Sequence, residues 1–129
     1  MATFTELLRS LESTMDEGRF SRGLKIAEIR FAVKIISSAR REDGEQGVRG
    51  EVVSSSGGRP RAGTRGSPDR EATMYRPTAA TTGATTCGCE DHARTGRPCK
   101  HIAALVATMA AREANHAALL AAWDREIAA

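Results

Sequence analysis

Residues 87–101 read Cys87-Gly88-Cys89-Glu90-Asp91-His92-Ala93-Arg94-Thr95-Gly96-Arg97-Pro98-Cys99-Lys100-His101. This short stretch contains all three cysteines of the 129-residue chain, in the order C-x-C, nine further residues, and C-x-H. Three thiolates and one imidazole form a complete tetrahedral ligand set for zinc. The spacing therefore predicts a structural zinc site made of Cys87, Cys89, Cys99 and His101, with no coordination position left open for a substrate.

The local chain geometry is compatible with such a site. Residues i and i+2 of an extended segment point to the same side, so Cys87 and Cys89 can converge on one ion. Gly88 between them is expected to relieve crowding where the backbone bends. Residues 96–98, with a glycine and a proline, are expected to turn the chain back into a helix whose first turn carries the C-x-H pair.

Three other interpretations compete with zinc. A Cys87–Cys89 disulfide would close a very short and strained ring. A thiol redox pair prefers C-x-x-C in a helical context, and free thiols would leave the spacing unexplained. A second histidine, His92, lies in the spacer and could replace His101, but we expect it to face solvent.

The cluster resembles the SWIM-type zinc finger, whose pattern is C-x-C, a variable spacer and C-x-H, usually followed by an apolar helix. Residues 98–105 (Pro-Cys-Lys-His-Ile-Ala-Ala-Leu) are very similar to the closing half of that family. The resemblance assigns the zinc ligands to the same four residues and implies a small ββα unit, with strands drawn from the region before Cys87. Glu90 stands where family members commonly carry proline, whereas Asp91 matches the family pattern.

The resemblance also implies a kind of function. SWIM domains occur in chromatin-remodelling ATPases, in Mutator-type transposases and in a kinase-cascade ubiquitin ligase, which implies binding to DNA or to protein rather than catalysis. The chain itself carries no P-loop, no Ser-His-Asp arrangement and no paired acidic motif on a recognisable scaffold. We therefore expect one structural Zn²⁺ and no enzymatic activity.

The composition explains why a metal is needed. The hydrophobic fraction of 40% includes 22 alanines, and Leu, Ile, Val and Phe together make up only 21 of 129 residues. Such a chain builds a thin core that needs another source of stability. No apolar stretch approaches the roughly 20 residues of a membrane span, and the N-terminus shows no apolar signal region. Three cysteines argue against an extracellular disulfide scaffold, so we expect an intracellular protein, cytoplasmic or nuclear, without a membrane partner.

The segments outside the cluster predict an α+β fold. Apolar residues at helical spacing, with Thr3 and Glu6 as a capping box, predict a helix over residues 4–17 that stops at Gly18. The alternation within residues 24–36 favours a strand, although a helix remains an alternative. Short strands are expected near 48–54 and 71–76, and mobile loops over 54–67 and 77–86. Residues 99–129, with 12 alanines and no glycine or proline, predict one long helix or two packed helices.

These patterns divide the chain into five parts. We expect an N-terminal amphipathic helix (1–22), strands that lead into the finger (23–56), a flexible Gly/Arg/Pro-rich loop (57–70), the zinc finger (71–110) and a C-terminal helix (111–129).

The basic side chains of the protein and the apolar faces of its helices suggest two alternative partners. Residues 49–100 hold nine basic and five acidic side chains, and candidate phosphate contacts lie beside the zinc site and in the flexible loop. These candidates are Arg59, Arg61, Arg65, Arg94, Arg97 and Lys100. DNA is one expected partner. The alternative is a protein that binds the N-terminal helix or a C-terminal stripe that includes Leu119 and Trp123.

Overall fold

The computed structural model describes residues 3–54 and 73–128, which form four helices and a five-stranded antiparallel sheet. The helices are α1 (Phe4–Thr14), α2 (Glu17–Glu28), α3 (Glu90–Thr95) and α4 (Lys100–Ala128). The strands are β1 (Val33–Arg40), β2 (Gln46–Ser54), β3 (Thr73–Tyr75), β4 (Thr78–Ala80) and β5 (Thr85–Thr86). The fold is thus of the α+β class that the sequence predicts.

The N-terminal region forms two helices rather than one. The hydroxyl of Thr3 accepts a hydrogen bond from the Glu6 N–H at 3.1 Å, so the predicted N-cap is confirmed. The helix ends at Thr14, however, and the prediction that Gly18 stops it is wrong. Asp16 caps a new helix by accepting a hydrogen bond from the Arg19 N–H at 3.3 Å, so Gly18 lies inside the first turn of α2.

The strand predicted over residues 24–36 is correct only for its last part. Helix α2 continues to Glu28, and strand β1 begins at Val33. Between them the chain turns through Phe31, whose φ of 65° breaks the extended alternation and leaves its ring 84% exposed. The physical reason is tertiary, because α2 packs so closely on α4 that a Cβ on Gly23 would lie 2.6 Å from the Cβ of Ala103.

Strand β2 is the centre of the sheet. One edge of β2 pairs with β1. Its other edge pairs with β4 at residues 47–49 and with β3 at residues 52–54. Strand β5 pairs with β4. The β1–β2 and β4–β5 turns each contain a glycine with positive φ, Gly44 at 92° and Gly83 at 103°. Such a glycine is typical of short hairpin loops in which a turn is followed by a left-handed residue.

The prediction of a mobile loop over residues 77–86 is wrong. These residues form the β4–β5 hairpin, in which Pro77, Ala79 and Thr81 are buried. Threonine favours strands, but residues 77–86 contain no large apolar side chain that would mark a buried face, and the strand forms because its backbone pairs with β2. The predicted flexible loop, residues 57–70, lies outside the described residues.

The first three turns of α4 form the centre of the core. Helices α1 and α2 pack on one side of it and the sheet packs on the other. Five consecutive residues of α4 are fully buried as a result: Ile102, Ala103, Ala104, Leu105 and Val106. The apolar face of α1 is used in the same core, since Phe4, Leu7 and Leu11 are buried there.

The remainder of α4 extends away from the core. It is one helix rather than a helix pair, and every residue from Ala114 to Ile127 is exposed. Glu113 is the last residue of α4 before this exposed part that contacts the core. Its carboxylate accepts hydrogen bonds from the backbone N–H groups of Phe4 and Thr5 at 2.9 and 2.8 Å. Across the described ranges, no helix combines the length and apolar character needed to cross a membrane.

Candidate metal centre

The four predicted ligands come from three neighbouring elements. Cys87 and Cys89 follow β5, and Cys89 is also the N-cap of α3. Cys99 immediately precedes α4, where its carbonyl accepts from the Ala103 N–H at 3.1 Å, and His101 lies in the first turn of that helix. The β4–β5 hairpin and α4 thus form a ββα arrangement around the cluster.

Glycine is not required at position 88. A Cβ on Gly88 would have no atom within 4 Å, and its φ is not in the left-handed region. The expectation that Gly88 relieves crowding is therefore wrong, because the backbone between the two cysteines is exposed to solvent. Gly96, in contrast, ends α3 with a φ of 66°, a conformation that favours glycine, and turns the chain back as expected.

The ligand atoms are close enough to share one ion. All four lie within 4.8 Å of one another, and His101 Nδ1 is 3.8 Å from Cys87 Sγ and 3.7 Å from Cys99 Sγ. In a tetrahedral zinc site with ordinary Zn–S and Zn–N bonds, neighbouring ligand atoms lie about 3.6–3.8 Å apart. All three cysteines are free thiols, so no disulfide competes for the sulfur atoms.

The electrostatics of the protein groups favour a cation at this position. A hydrogen bond to Cys87 and burial together raise the pKa of the Cys99 thiol to about 12, and the same contact lowers the pKa of Cys87. Burial raises the pKa of Cys89. Three buried sulfurs cannot all ionise without a compensating positive charge. Zinc supplies that charge and displaces the protons when it binds.

The ring of His101 is held in one orientation. It is 3% exposed and stacks on Tyr75, with ring centroids 4.1 Å apart and an interplanar angle of 26°. Because Nδ1 faces the thiols, Nε2 lies on the opposite edge of the ring, where it is buried without a hydrogen-bond partner in the described part of the chain. Tyr75 was not among the site residues predicted from the sequence, because strand-to-helix stacking has no local signal.

His92 has a different role from His101. It lies in α3, outside the group of four, and its Nδ1 is 2.7 Å from the carbonyl oxygen of Arg97. Its backbone N–H donates to Cys89 Sγ at 3.3 Å. The His92 side chain therefore stabilises the turn after α3 and is not part of the ligand cluster.

An ion pair connects this centre to the N-terminal helices. Arg19 in α2 binds Asp91 in α3 through two hydrogen bonds, 2.9 Å from Nε to Oδ2 and 3.0 Å from Nη2 to Oδ1. The hydrogen bond and the charge of Asp91 raise the pKa of Arg19. Arg19 was not among the residues predicted from the sequence, because its partner lies 72 residues away.

The basic residues predicted to contact nucleic acid fall into two groups. Arg94 and Arg97 are exposed on α3 and the following turn, and Lys100 is half-buried at the start of α4. Arg94 pairs with Glu90 one turn earlier at 3.2 Å, with both side chains largely exposed. The other three candidates, Arg59, Arg61 and Arg65, lie outside the described residues.

The comparisons with known proteins agree with this geometry. The family model of the SWIM zinc finger matches residues 82–109, which include the four clustered residues and the buried turns of α4. No curated protein and no solved structure matches the chain. The donor set and the family match together identify the cofactor as a single structural zinc ion held in a SWIM-type finger.

Proposed function

Starting from the SWIM-type zinc finger at residues 82–109, we propose that this chain is a non-catalytic module that binds the backbone of DNA. Four protein ligands fill a tetrahedral zinc and leave no position for substrate or water, so the metal supplies stability rather than chemistry. The module would act as a binding protein or as an accessory factor to a catalytic partner.

The observation that carries this proposal is the distribution of basic side chains around the finger. Arg22, Arg97 and Lys100 have no ion-pair partner in the described ranges, and Arg94 has only an exposed partner of its own helix. An exposed pair of this kind is weak and is readily exchanged for a phosphate contact. Arginine suits that contact because its planar fork binds phosphate oxygens bidentately.

The test is a titration of a labelled DNA duplex with the zinc-loaded full chain at several salt concentrations. We expect log K to fall linearly with log salt, and the Arg94→Gln/Arg97→Gln double variant to bind more weakly with a flatter slope, by about 0.9 for each phosphate that is no longer neutralised. The matched control is Arg9→Gln/Arg125→Gln, which removes two exposed arginines that lie outside residues 82–109. Equal affinity and slope for the two double variants would overturn the proposal.

A second candidate function rests on the exposed part of α4. Leu119, Leu120, Trp123 and Ile127 are 69%, 47%, 64% and 74% exposed. Three of them follow each other at spacings of three and four residues, which is typical of a seam between two helices. An antiparallel pair of identical helices is self-complementary, so we propose a second copy of the chain as the occupant. The other predicted protein-binding face, on α1, is buried in the core.

Self-association is tested by light scattering after gel filtration over a range of protein concentrations. We expect a dimer that Trp123→Glu dissociates, while Ala122→Glu on a neighbouring position of the same helix has a smaller effect. A monomer at every concentration would contradict this second function and leave DNA binding unaffected.

A further inference from the structure

One face of the sheet is exposed at its centre. In β2, Val48 and Val52 are buried on the side of α4, whereas Arg49 is exposed on the other side. Residues directly opposite each other on neighbouring strands carry their side chains on the same face. The residues opposite Arg49 therefore share its exposed face. Together they form a cross-strand row: Ser37 in β1, Arg49 in β2, Thr78 in β4 and Thr86 in β5.

The cross-strand row presents hydrogen-bond donors that the protein leaves free. The hydroxyls of Thr78 and Thr86 share one hydrogen bond, so whichever of them donates, the other keeps its own proton available. The guanidinium of Arg49 has no hydrogen-bond or ion-pair partner in the part of the chain that the structure describes. Four strands spaced about 4.8 Å apart make the row about 14 Å long. It is therefore long enough to contact an extended ligand rather than a single ion.

The surface around the row is concave. The row lines a concavity of about 490 Å³, whose other lining residues include Ala39, Gly47 and Ala80. These three small residues lie opposite one another on the same face, two positions along from the row. A second concavity of about 220 Å³ shares Arg49 and is lined also by Arg76. Arg49 thus borders both concavities, and the small side chains leave the larger one open.

The exposed face carries a positive excess. Arg49, Glu51 and Arg76 are the charged residues that line the two concavities in the described ranges. Glu51 is already paired with Arg76, at 3.5 Å between Oε2 and Nε, and Lys34 lies opposite Glu51 on β1. Three basic side chains against one acidic side chain leave a net charge of +2. The acidic β1–β2 turn, residues 41–45, lines neither concavity, so the face favours an anionic ligand.

The chemistry of this face suits the sugar–phosphate backbone of DNA. Serine and threonine hydroxyls and arginine are common donors to phosphate oxygens. The alanines and the glycine leave space in which the sugar can lie. Among the described residues, no aromatic side chain lines either concavity, so bases have no ring to stack on. A peptide would need a deep pocket for a large anchoring side chain, whereas the larger concavity is wide open to solvent.

We propose that the exposed face of the sheet binds the DNA backbone, with Arg49 as the charged contact and the hydroxyls of Ser37, Thr78 and Thr86 as the neutral donors. This inference rests on the proposed function and adds a second contact surface to it, formed by other residues than the arginines around the finger. Gly47 keeps the surface open. A Cβ at this position would meet only the Ala79 backbone oxygen, at 3.9 Å, so packing does not require glycine there.

The experiment is a fluorescence anisotropy titration of a labelled DNA duplex with the zinc-loaded full chain at several salt concentrations. We expect Arg49→Gln to bind several-fold more weakly and with a salt slope flatter by about 0.9, as for one lost phosphate contact. Gly47→Val fills the concavity without changing the charge and should also weaken binding several-fold. The control is Arg40→Gln, which removes an exposed arginine of β1 that lines neither concavity and should retain the wild-type affinity. Zinc content and circular dichroism verify that each variant keeps its fold.

The same titration separates this inference from the proposed function. Wild-type affinity in Gly47→Val, or equal affinity in Arg49→Gln and Arg40→Gln, overturns the sheet face. If Arg94→Gln/Arg97→Gln alone binds more weakly, the finger arginines are supported and the sheet face is overturned. Weaker binding by Arg49→Gln and Gly47→Val, with no effect of Arg94→Gln/Arg97→Gln, supports the sheet face and overturns the role of the finger arginines. No binding of the duplex by the wild type overturns both.

Discussion

Arg19 and Asp91 form a bidentate ion pair that joins the second helix of the chain to the spacer of the zinc finger, with hydrogen bonds of 2.9 and 3.0 Å. Asp91 is the position at which the spacer matches the family pattern, and here its carboxylate is held by an arginine from outside the finger. We therefore expect the N-terminal helices and the finger to support each other, so that the zinc site depends in part on Arg19, which lies outside the family match at 82–109.

Asp91→Asn tests this dependence. The variant removes the charge that orients Arg19, so α3 and the Cys89 ligand that caps it should be held less firmly. We expect zinc to be lost to a chelator several-fold faster, measured with a chromogenic indicator. The control is Glu90→Gln, which breaks an exposed pair within α3 and should change the rate little. Equal rates for the two variants would show that the Arg19 ion pair does not support the site.

Cys99→Ser tests the structural role of the metal. Zinc in small fingers contributes free energy on the order of 10 kcal/mol, and in this chain the ligand lies directly before the central helix of the core. We expect loss of bound zinc and loss of cooperative unfolding in the finger, measured by native mass spectrometry and circular dichroism. A melting curve identical to that of the wild type would refute the structural role.

The two histidines of the finger should behave differently. His101→Gln removes the clustered ligand and should abolish stoichiometric zinc binding, whereas His92→Gln removes only a hydrogen bond to the Arg97 carbonyl and should retain the metal. Zinc content per chain, measured on protein purified under reducing conditions, compares them directly. Retention of zinc in His101→Gln and its loss in His92→Gln would reverse the ligand assignment.

Gly23→Ala tests the packing of α2 on α4. A Cβ at this position would lie 2.6 Å from the Cβ of Ala103 and 2.7 Å from the backbone oxygen of Lys100, so the helices must separate. We expect a loss of about 1–3 kcal/mol in the free energy of unfolding, measured with denaturant. Gly88→Ala is the control, because the added Cβ has no neighbour within 4 Å and zinc binding should be unchanged. Equal stability for both variants would contradict the close packing.

Glu113→Gln tests the link between α1 and α4. The carboxylate accepts three hydrogen bonds at the N-terminus of α1, from Phe4 N, Thr5 N and Thr5 Oγ1. Loss of the charge at this helix end should lower the free energy of unfolding by about 1 kcal/mol. Glu126→Gln, exposed on the same helix, should leave stability unchanged. An equal effect of both substitutions would show that the cap contributes nothing.

The local chemistry of the chain was predictable from the sequence. The four clustered residues lie within fifteen positions, and their types and spacing predict zinc before any fold is known. The Thr3 cap and the alanine-rich helix α4 were equally accessible, because capping and helix propensity act over one or two turns.

Contacts between segments that are distant in the sequence decided the rest of the fold. The alternation through Ile29 and Phe31 predicts a strand, yet α2 runs to Glu28. The reason is that Gly23 and its neighbours gain more free energy by packing on α4 than an extended segment would. The β4–β5 hairpin forms from small residues because β2 supplies backbone partners. The stacking of Tyr75 on His101 joins the sheet to α4. Short-range hydrogen bonding and ligand spacing depend on consecutive residues, whereas packing energy depends on which surfaces meet, and that is settled only when the whole chain folds.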